Sequence, residues 1–137
     1  MVSDYGPGID AETWFQKGFK DAGGEIVGSV RFPVANPDFS AFVQRAKDTS
    51  PDAIYVWVPG GARPAAVGKA LAERAIDTAK TKVLGQGALT AESALKSVGD
   101  QALGIIMVAN YDYNLDSPTN KALSGSPQPH LETRPAV

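Results

Sequence analysis

The chain of 137 residues has no cysteine, one histidine and two methionines, and these shortages remove whole classes of chemistry. Without cysteine there is no disulfide, no thiolate nucleophile and no cysteine-based zinc or iron–sulfur site. The single histidine, His130, lies in a proline-rich stretch with no serine, aspartate or cysteine placed beside it as a triad, so a hydrolase would lack both nucleophile and base. An excess of either charge is also missing. Thirteen Lys and Arg against fifteen Asp and Glu leave a net charge of −2, which gives no electrostatic reason to bind nucleic acid or anionic lipid. No apolar run approaches the ~20 residues of a membrane span, and no basic region followed by an apolar run opens the chain. As written, it would stay in the cytoplasm.

What is present is ordinary for a globular protein: 43% hydrophobic and 20% charged residues, in a length that suits one domain. A chain of this size buries roughly 65–70% of its unfolded surface. The N-terminus is out of step with the rest. Asp4-Tyr5-Gly6-Pro7-Gly8 reads as a loop leaving a strand and entering a helix, yet only three residues precede it. This predicts an α/β sheet lacking its first, central strand.

Downstream the elements alternate. Trp14, Phe15, Phe19 and Ala22, with Gly18, recur at helical spacing over residues 8–22, and Gly23-Gly24 supplies the positive-φ stop. Asp10 and Glu12 fall in the first turn of that helix, where carboxylates complement the dipole without any acid–base role. Residues 25–32 are rich in β-formers. Asn36-Pro37-Asp38 opens a second helix with Phe39, Phe42, Val43 and Ala46 on one face, broken by Thr49-Ser50-Pro51-Asp52. Residues 53–58 form a near-continuous apolar run, the pattern of a strand covered on both faces. A third helix spans residues 63–75, with Val67, Ala70, Leu71 and Ala75 inside. Residues 82–86 make a short strand, Thr90 caps a helix stopped by Gly99, and residues 104–110 make the last strand. Such alternation means a three-layer fold, a mostly parallel sheet flanked by helices. From about Asp112 the chain turns polar and proline-rich, so the domain is assigned to residues 1–122 and a disordered or non-native tail to 123–137.

No catalytic, metal or cofactor motif emerges. Gly85-Gln86-Gly87 follows a strand as a dinucleotide loop does, but Thr90 occupies the third glycine position, and turn glycines are the simpler reading. Gly68-Lys69 is followed by Ala70 inside a helix, which fails the P-loop requirement. The remaining candidates are the loops after the strands, which in open parallel sheets share one edge and hold ligands. These loops offer Tyr5 and Gly6, residues 59–63, residues 86–89 and residues 110–113. Trp14 and Trp57 read as core, Tyr111 and Tyr113 as surface aromatics.

Residues 2–122 resemble the C-terminal lobe of type I periplasmic binding proteins, the leucine/isoleucine/valine-binding branch of ABC-transporter solute receptors. The resemblance is carried in order by Asp4-Tyr5-Gly6, by residues 19–27, Asp38-Phe39-Ser40, Pro51-Asp52-Ala53-Ile54-Tyr55, Leu84-Gly85-Gln86-Gly87, residues 99–104 and Asp116-Ser117-Pro118-Thr119-Asn120. It implies a non-enzymatic lobe that closes with a second lobe around a small amino acid, amide or aromatic acid and presents it to a membrane permease, in a parent protein that is periplasmic. The ligand contacts it implies are Tyr5, Gly6, Pro59, Gly60, Gly61, Ala62, Gln86 and Gly87, with no cofactor, metal or nucleic acid. Gly87 beside Gln86 stands where branched-chain receptors place a carboxylate, which disfavours an α-amino acid. The alternatives are the sensing lobe of a regulatory protein and a nucleotide-dependent enzyme. Unpaired edges around the lacking strand further predict a homodimer formed by strand exchange, direct pairing of the two flanking strands, or an unstable chain.

Overall fold

The computed structural model describes residues 1–35, 37–112 and 114–124. His130, Tyr113 and most of the expected tail lie outside them. In chain order the elements are β1 (Val2–Ser3), α1 (Gly6–Asp21), β2 (Arg31–Phe32), α2 (Phe39–Lys47), β3 (Ala53–Val56), α3 (Arg63–Glu73), β4 (Lys82–Gln86), α4 (Glu92–Val98), a 3-10 turn (Gly99–Ala102), β5 (Ile105–Val108) and α5 (Pro118–Ser124).

Every strand pair is parallel. β1 pairs with β2, the run β3-β4-β5 is continuous, and a bridge from Val2 to Trp57 joins the two groups, giving the order β2-β1-β3-β4-β5. The expectation of a lacking first strand is therefore corrected. Residues 1–3 themselves occupy the position between β2 and β3, because the Val2, Ser3 and Asp4 amides find carbonyls on both neighbours: Val30 at 3.0 Å, Trp57 at 3.2 Å and Phe32 at 2.7 Å. The converse correction applies to β2. Its β-rich stretch over residues 25–32 becomes strand only at Arg31–Phe32, since a strand exists only where a partner lies alongside.

Helices α2 and α3 cover one face. Phe39, Val43 and Ala46 of α2 and Val67, Ala70 and Leu71 of α3 enclose Ile54, Val56, Val58 and Val83 in the main core. At the start of α2 the Asp38 carboxylate accepts the Ser40 amide at 3.1 Å, a capping bond of the expected kind. On the other face α1 lays Gly8, Glu12, Phe15 and Phe19 towards the sheet, and the Phe15 ring stacks on Tyr55 at 4.0 Å. That stripe runs i, i+4, i+7, i+11. Trp14 falls off it and is 70% exposed, so it is not core. The helix also begins two residues earlier than its periodicity suggests, at Gly6, which moves Asp10 and Glu12 out of the first turn.

The covering of β3 is one-sided: Ile54 and Val56 are buried, Ala53 and Tyr55 only partly. On the α1 face of β5, Ile106 and Val108 are 52% and 77% exposed, because α1 is a single helix over the β1–β3 half. Ala75 does not continue α3 but ends it with φ 50°. Ala91, not Thr90, precedes α4, and the Thr90 hydroxyl donates instead to the Met107 sulfur. Helix α5 was not foreseen. Its signal is the pair Ser117-Pro118: Pro118 sits in the first turn, and the Ser117 hydroxyl accepts the Asn120 amide at 3.1 Å.

Candidate functional site

Sheet order alone marks one place on this fold. Chain connections leave β1 and β3 in opposite directions across the sheet, so a crevice opens between their carboxyl ends. Tyr5 follows β1 there, and Trp57 to Ala62 follow β3. The two rings meet, with centroids 5.6 Å apart and planes inclined by 54°. Trp57 is half-buried at this edge rather than enclosed in the core, a placement the apolar run around it concealed.

The turn Pro59-Gly60-Gly61-Ala62 stands beside them, with Gly60, Gly61 and Ala62 exposed and Pro59 half-buried. Gly61 has φ +83°, a conformation that favours glycine and brings the chain round into α3. Arg63 ties the neighbouring loops together: Nε and Nη2 donate to the Val34 carbonyl at 3.2 and 3.1 Å, and Nη1 to the Gly60 carbonyl at 3.4 Å. Among the described residues this cation has no carboxylate partner.

Gln86 is brought to the same edge, where its carboxamide is already committed. Nε2 donates to the Val58 carbonyl at 2.8 Å, and Oε1 accepts the Ala88 amide at 2.8 Å, stitching the loop after β4 to the end of β3. Gly87 lies against Ala109 of the next loop. Gly85 is explained by packing, since a Cβ there would fall 2.6 Å from Leu89 Cδ2, and Leu89 is itself buried. Structure thus gathers Tyr5, Gly6, the 59–62 turn, Gln86 and Gly87 along one edge. Tyr111 is directed elsewhere, its hydroxyl donating to Asn120 Oδ1 at 2.8 Å. Ser3 was not anticipated: its hydroxyl is fully buried at the end of β1 and is the buried side-chain oxygen that lacks a partner among the described residues.

The strongest electrostatics lie on the α1 side of the sheet. Burial pushes the Glu12 carboxyl up, but bonds from Ser29 and Arg31, together with attraction to Arg31 and to the Met1 amine, outweigh it and hold Glu12 below the usual carboxylate range. Arg31 Nη2 approaches Glu12 Oε2 at 2.6 Å. The Met1 amine donates to the Tyr55 carbonyl at 2.7 Å, and burial lowers its pKa from 8.0 to about 6 against the pull of Glu12. Burial likewise raises the Tyr55 phenol.

The strand-end crevice of this parallel α/β lobe is thus lined by aromatic rings and open turns. The periplasmic binding protein family profile matches residues 1–128, and the chain belongs to that family, in its type I, solute-binding branch. It is 39% identical over 121 residues to a Leu/Ile/Val-binding protein homolog 6 of Brucella melitensis, a match covering 88% of this chain and 31% of that protein. A solute binding protein of an ABC transporter from Rhodopseudomonas palustris BisB5, solved with 3,4-dihydroxybenzoic acid, superposes with TM-score 0.77 at 43% identity, over 89% of this chain and 33% of that one. A second from R. palustris, solved with 4-hydroxybenzoate, gives TM-score 0.80 at 41% identity over 90% and 33%. The chain therefore spans about a third of the length of these relatives. The two R. palustris proteins are solute-binding proteins of ABC transporters.

Proposed function

We propose that this chain forms part of the solute-gripping lobe of an ABC-transporter receptor, and that its solute is a small aromatic carboxylic acid. In the complete receptor this lobe closes with a second one in the periplasm and hands the solute to a permease. The observation that carries the reading is the Tyr5–Trp57 ring pair at the switch point, in a chain 43% and 41% identical to proteins solved with hydroxybenzoates. A flat ring has an aromatic surface to lie against. The carboxylate has close by the positive charge of Arg63, which has no carboxylate partner among the described residues, and the exposed Gly60-Gly61 backbone. Gln86 and Gly87 supply shape and backbone groups at the rim, Gln86 having its amide already bonded. Gln86 and Gly87 themselves carry no carboxylate to receive an ammonium group, which supports an acid over an α-amino acid.

One lobe buries much less of a ligand than the 70–90% usual in a closed site, so affinity for the isolated chain is expected in the millimolar range. Titration of the isotope-labelled chain with 4-hydroxybenzoate should shift the Tyr5, Gly60 and Gly61 amides and the Trp57 indole. The uncharged 4-hydroxybenzamide should bind at least threefold more weakly, and leucine should leave these signals in place. Leucine shifting the same signals more strongly than 4-hydroxybenzoate would refute the assignment.

A further inference from the structure

At the solute edge the β3–β4 ladder passes through a side chain. Lys82 donates its amide to the Asp52 carbonyl at 2.8 Å, and the register from Ala53 opposite Lys82 to Val56 opposite Gly85 carries that pattern forward two residues at a time. Continued past the strand ends, the pattern pairs the Ala88 amide with the Val58 carbonyl. That direct bond is not made. The Gln86 carboxamide stands between the two groups: Ala88 donates to its Oε1 at 2.8 Å, and its Nε2 donates to Val58 at 2.8 Å. One side-chain amide replaces a main-chain bond, so the strand ends part by the width of an amide while donor and acceptor both stay satisfied.

The two sides of this splice differ in how firmly they are held. On the β4 side the Leu89 amide donates to the Gln86 carbonyl at 2.9 Å, and Leu89 is buried against Gly85, so the loop over residues 86–89 is anchored in the core. The turn after β3 has no such anchor. Among the described residues Pro59, Gly60 and Gly61 make no backbone–backbone hydrogen bond, and Gly60, Gly61 and Ala62 are exposed. The other side-chain tie to this turn, from Arg63 Nη1 to the Gly60 carbonyl, is 3.4 Å long, past the usual range of an N–H to oxygen bond. The bond from Gln86 to Val58 is therefore the short link that fixes the root of the turn to its neighbouring loop.

We propose that Gln86 is a positioning residue: its carboxamide acts as a spliced-in peptide group that keeps the β3 and β4 ends apart and holds the 59–62 turn in the conformation that meets the solute. This role rests on reading that turn as a solute contact. The place demands one side-chain length with a donor and an acceptor at its tip. Asparagine is one methylene short, an ionised glutamate lacks the donor, and methionine lacks both groups. A turn fixed in advance spares the solute the entropy of ordering it on binding.

The test uses the full 137-residue chain. Amide relaxation at Gly60 and Gly61 and exchange protection at Ala88 are read without solute, and 4-hydroxybenzoate affinity is read at pH 7.5. Gln86→Met keeps the bulk and loses both bonds. The Gly60 and Gly61 order parameters should fall below about 0.6, Ala88 exchange should quicken about tenfold, and affinity should drop about fivefold. Gln86→Glu keeps the acceptor and regains the donor only when protonated. Its Ala88 protection should hold throughout, while its turn should be as ordered as the parent's at pH 4.5 and as loose as that of Gln86→Met at pH 7.5. The parent, with the same Asp4, Arg63 and Asp112 on the neighbouring loops, should stay flat over that range. Glycines that remain ordered in Gln86→Met, or a Gln86→Glu turn that ignores pH, would overturn the proposal. A parent that fails to bind 4-hydroxybenzoate while the turn responds as stated would refute the solute assignment and uphold the brace.

Discussion

Gly8 gives the sharpest test of how the solute edge is built, because it is where α1 touches down on β1 one turn after Tyr5. A Cβ at Gly8 would lie 1.9 Å from the Ser3 carbonyl oxygen and 3.0 Å from the Ser3 carbonyl carbon, both backbone atoms. That is about 1.5 Å short of an ordinary non-bonded contact. Ser3 cannot retreat, since β1 is held on both sides by β2 and by Trp57. The substitution Gly8→Ala must therefore lift the start of α1 and carry Tyr5 with it. Overpacking of this kind costs about 3–4 kcal/mol where the obstacle is rigid backbone, against about 1 kcal/mol returned by the better helix propensity of alanine. A net loss of about 2–3 kcal/mol corresponds to a fall in Tm of about 6–12 °C in a chain this long. Gly18→Ala is the internal control. It lies in the same helix, a Cβ there meets nothing within 4 Å, and it should stabilise by about 0.5–1 kcal/mol. Urea denaturation of the three proteins reads both signs. If Gly8→Ala proved as harmless as Gly18→Ala, the close seating of α1 on β1, and with it the placement of Tyr5 beside Trp57, would be wrong.

Two further outcomes concern charge. The Met1 amine has a folded pKa of about 6 against an ordinary 8.0, so between those values the unfolded chain holds the proton and the folded chain does not. Stability should then rise with pH across that window by about 2–3 kcal/mol, and Nα-acetylation should flatten the rise in urea titrations at pH 5.5, 7 and 8.5. A slope unchanged by acetylation would contradict a desolvated amine in the sheet. The Glu12 carboxyl is held below its ordinary range, so its contribution is present at neutral pH and is lost as pH falls through its folded value. Glu12→Gln should cost about 2 kcal/mol at pH 7, with Arg31 still half in water, and the mutant and parent stability curves should converge in acid.

Which of these features could be read from the sequence follows a physical line. Patterns within one element were legible. The stretch over residues 82–86 is strand β4, Asp38 caps α2, Gly99 with φ 61° ends α4, and the buried faces of α2 and α3 fall on the expected residues apart from Ala75. Local spacing sets these, because the period of an apolar stripe and the demand for a cap or a positive φ are properties of a few consecutive residues. The candidate loops were legible for the same reason, as ends of strands.

What depended on neighbours was not. Residues 25–30 have strand composition and form no strand, since among the described residues no backbone donor or acceptor bonds to residues 25–29. Residues 1–3 have almost no pattern and form an interior strand, since β2 and β3 wait on either side. Trp14 and Phe15 are adjacent and equally apolar, yet only Phe15 reaches Tyr55, because the sheet lies under one stripe of α1. The identity of the elements belongs to the sequence, which specifies short-range periodicity and turns. Pairing partners and the Tyr5–Trp57 contact belong to the tertiary structure, which alone brings distant backbone donors and acceptors within hydrogen-bonding distance.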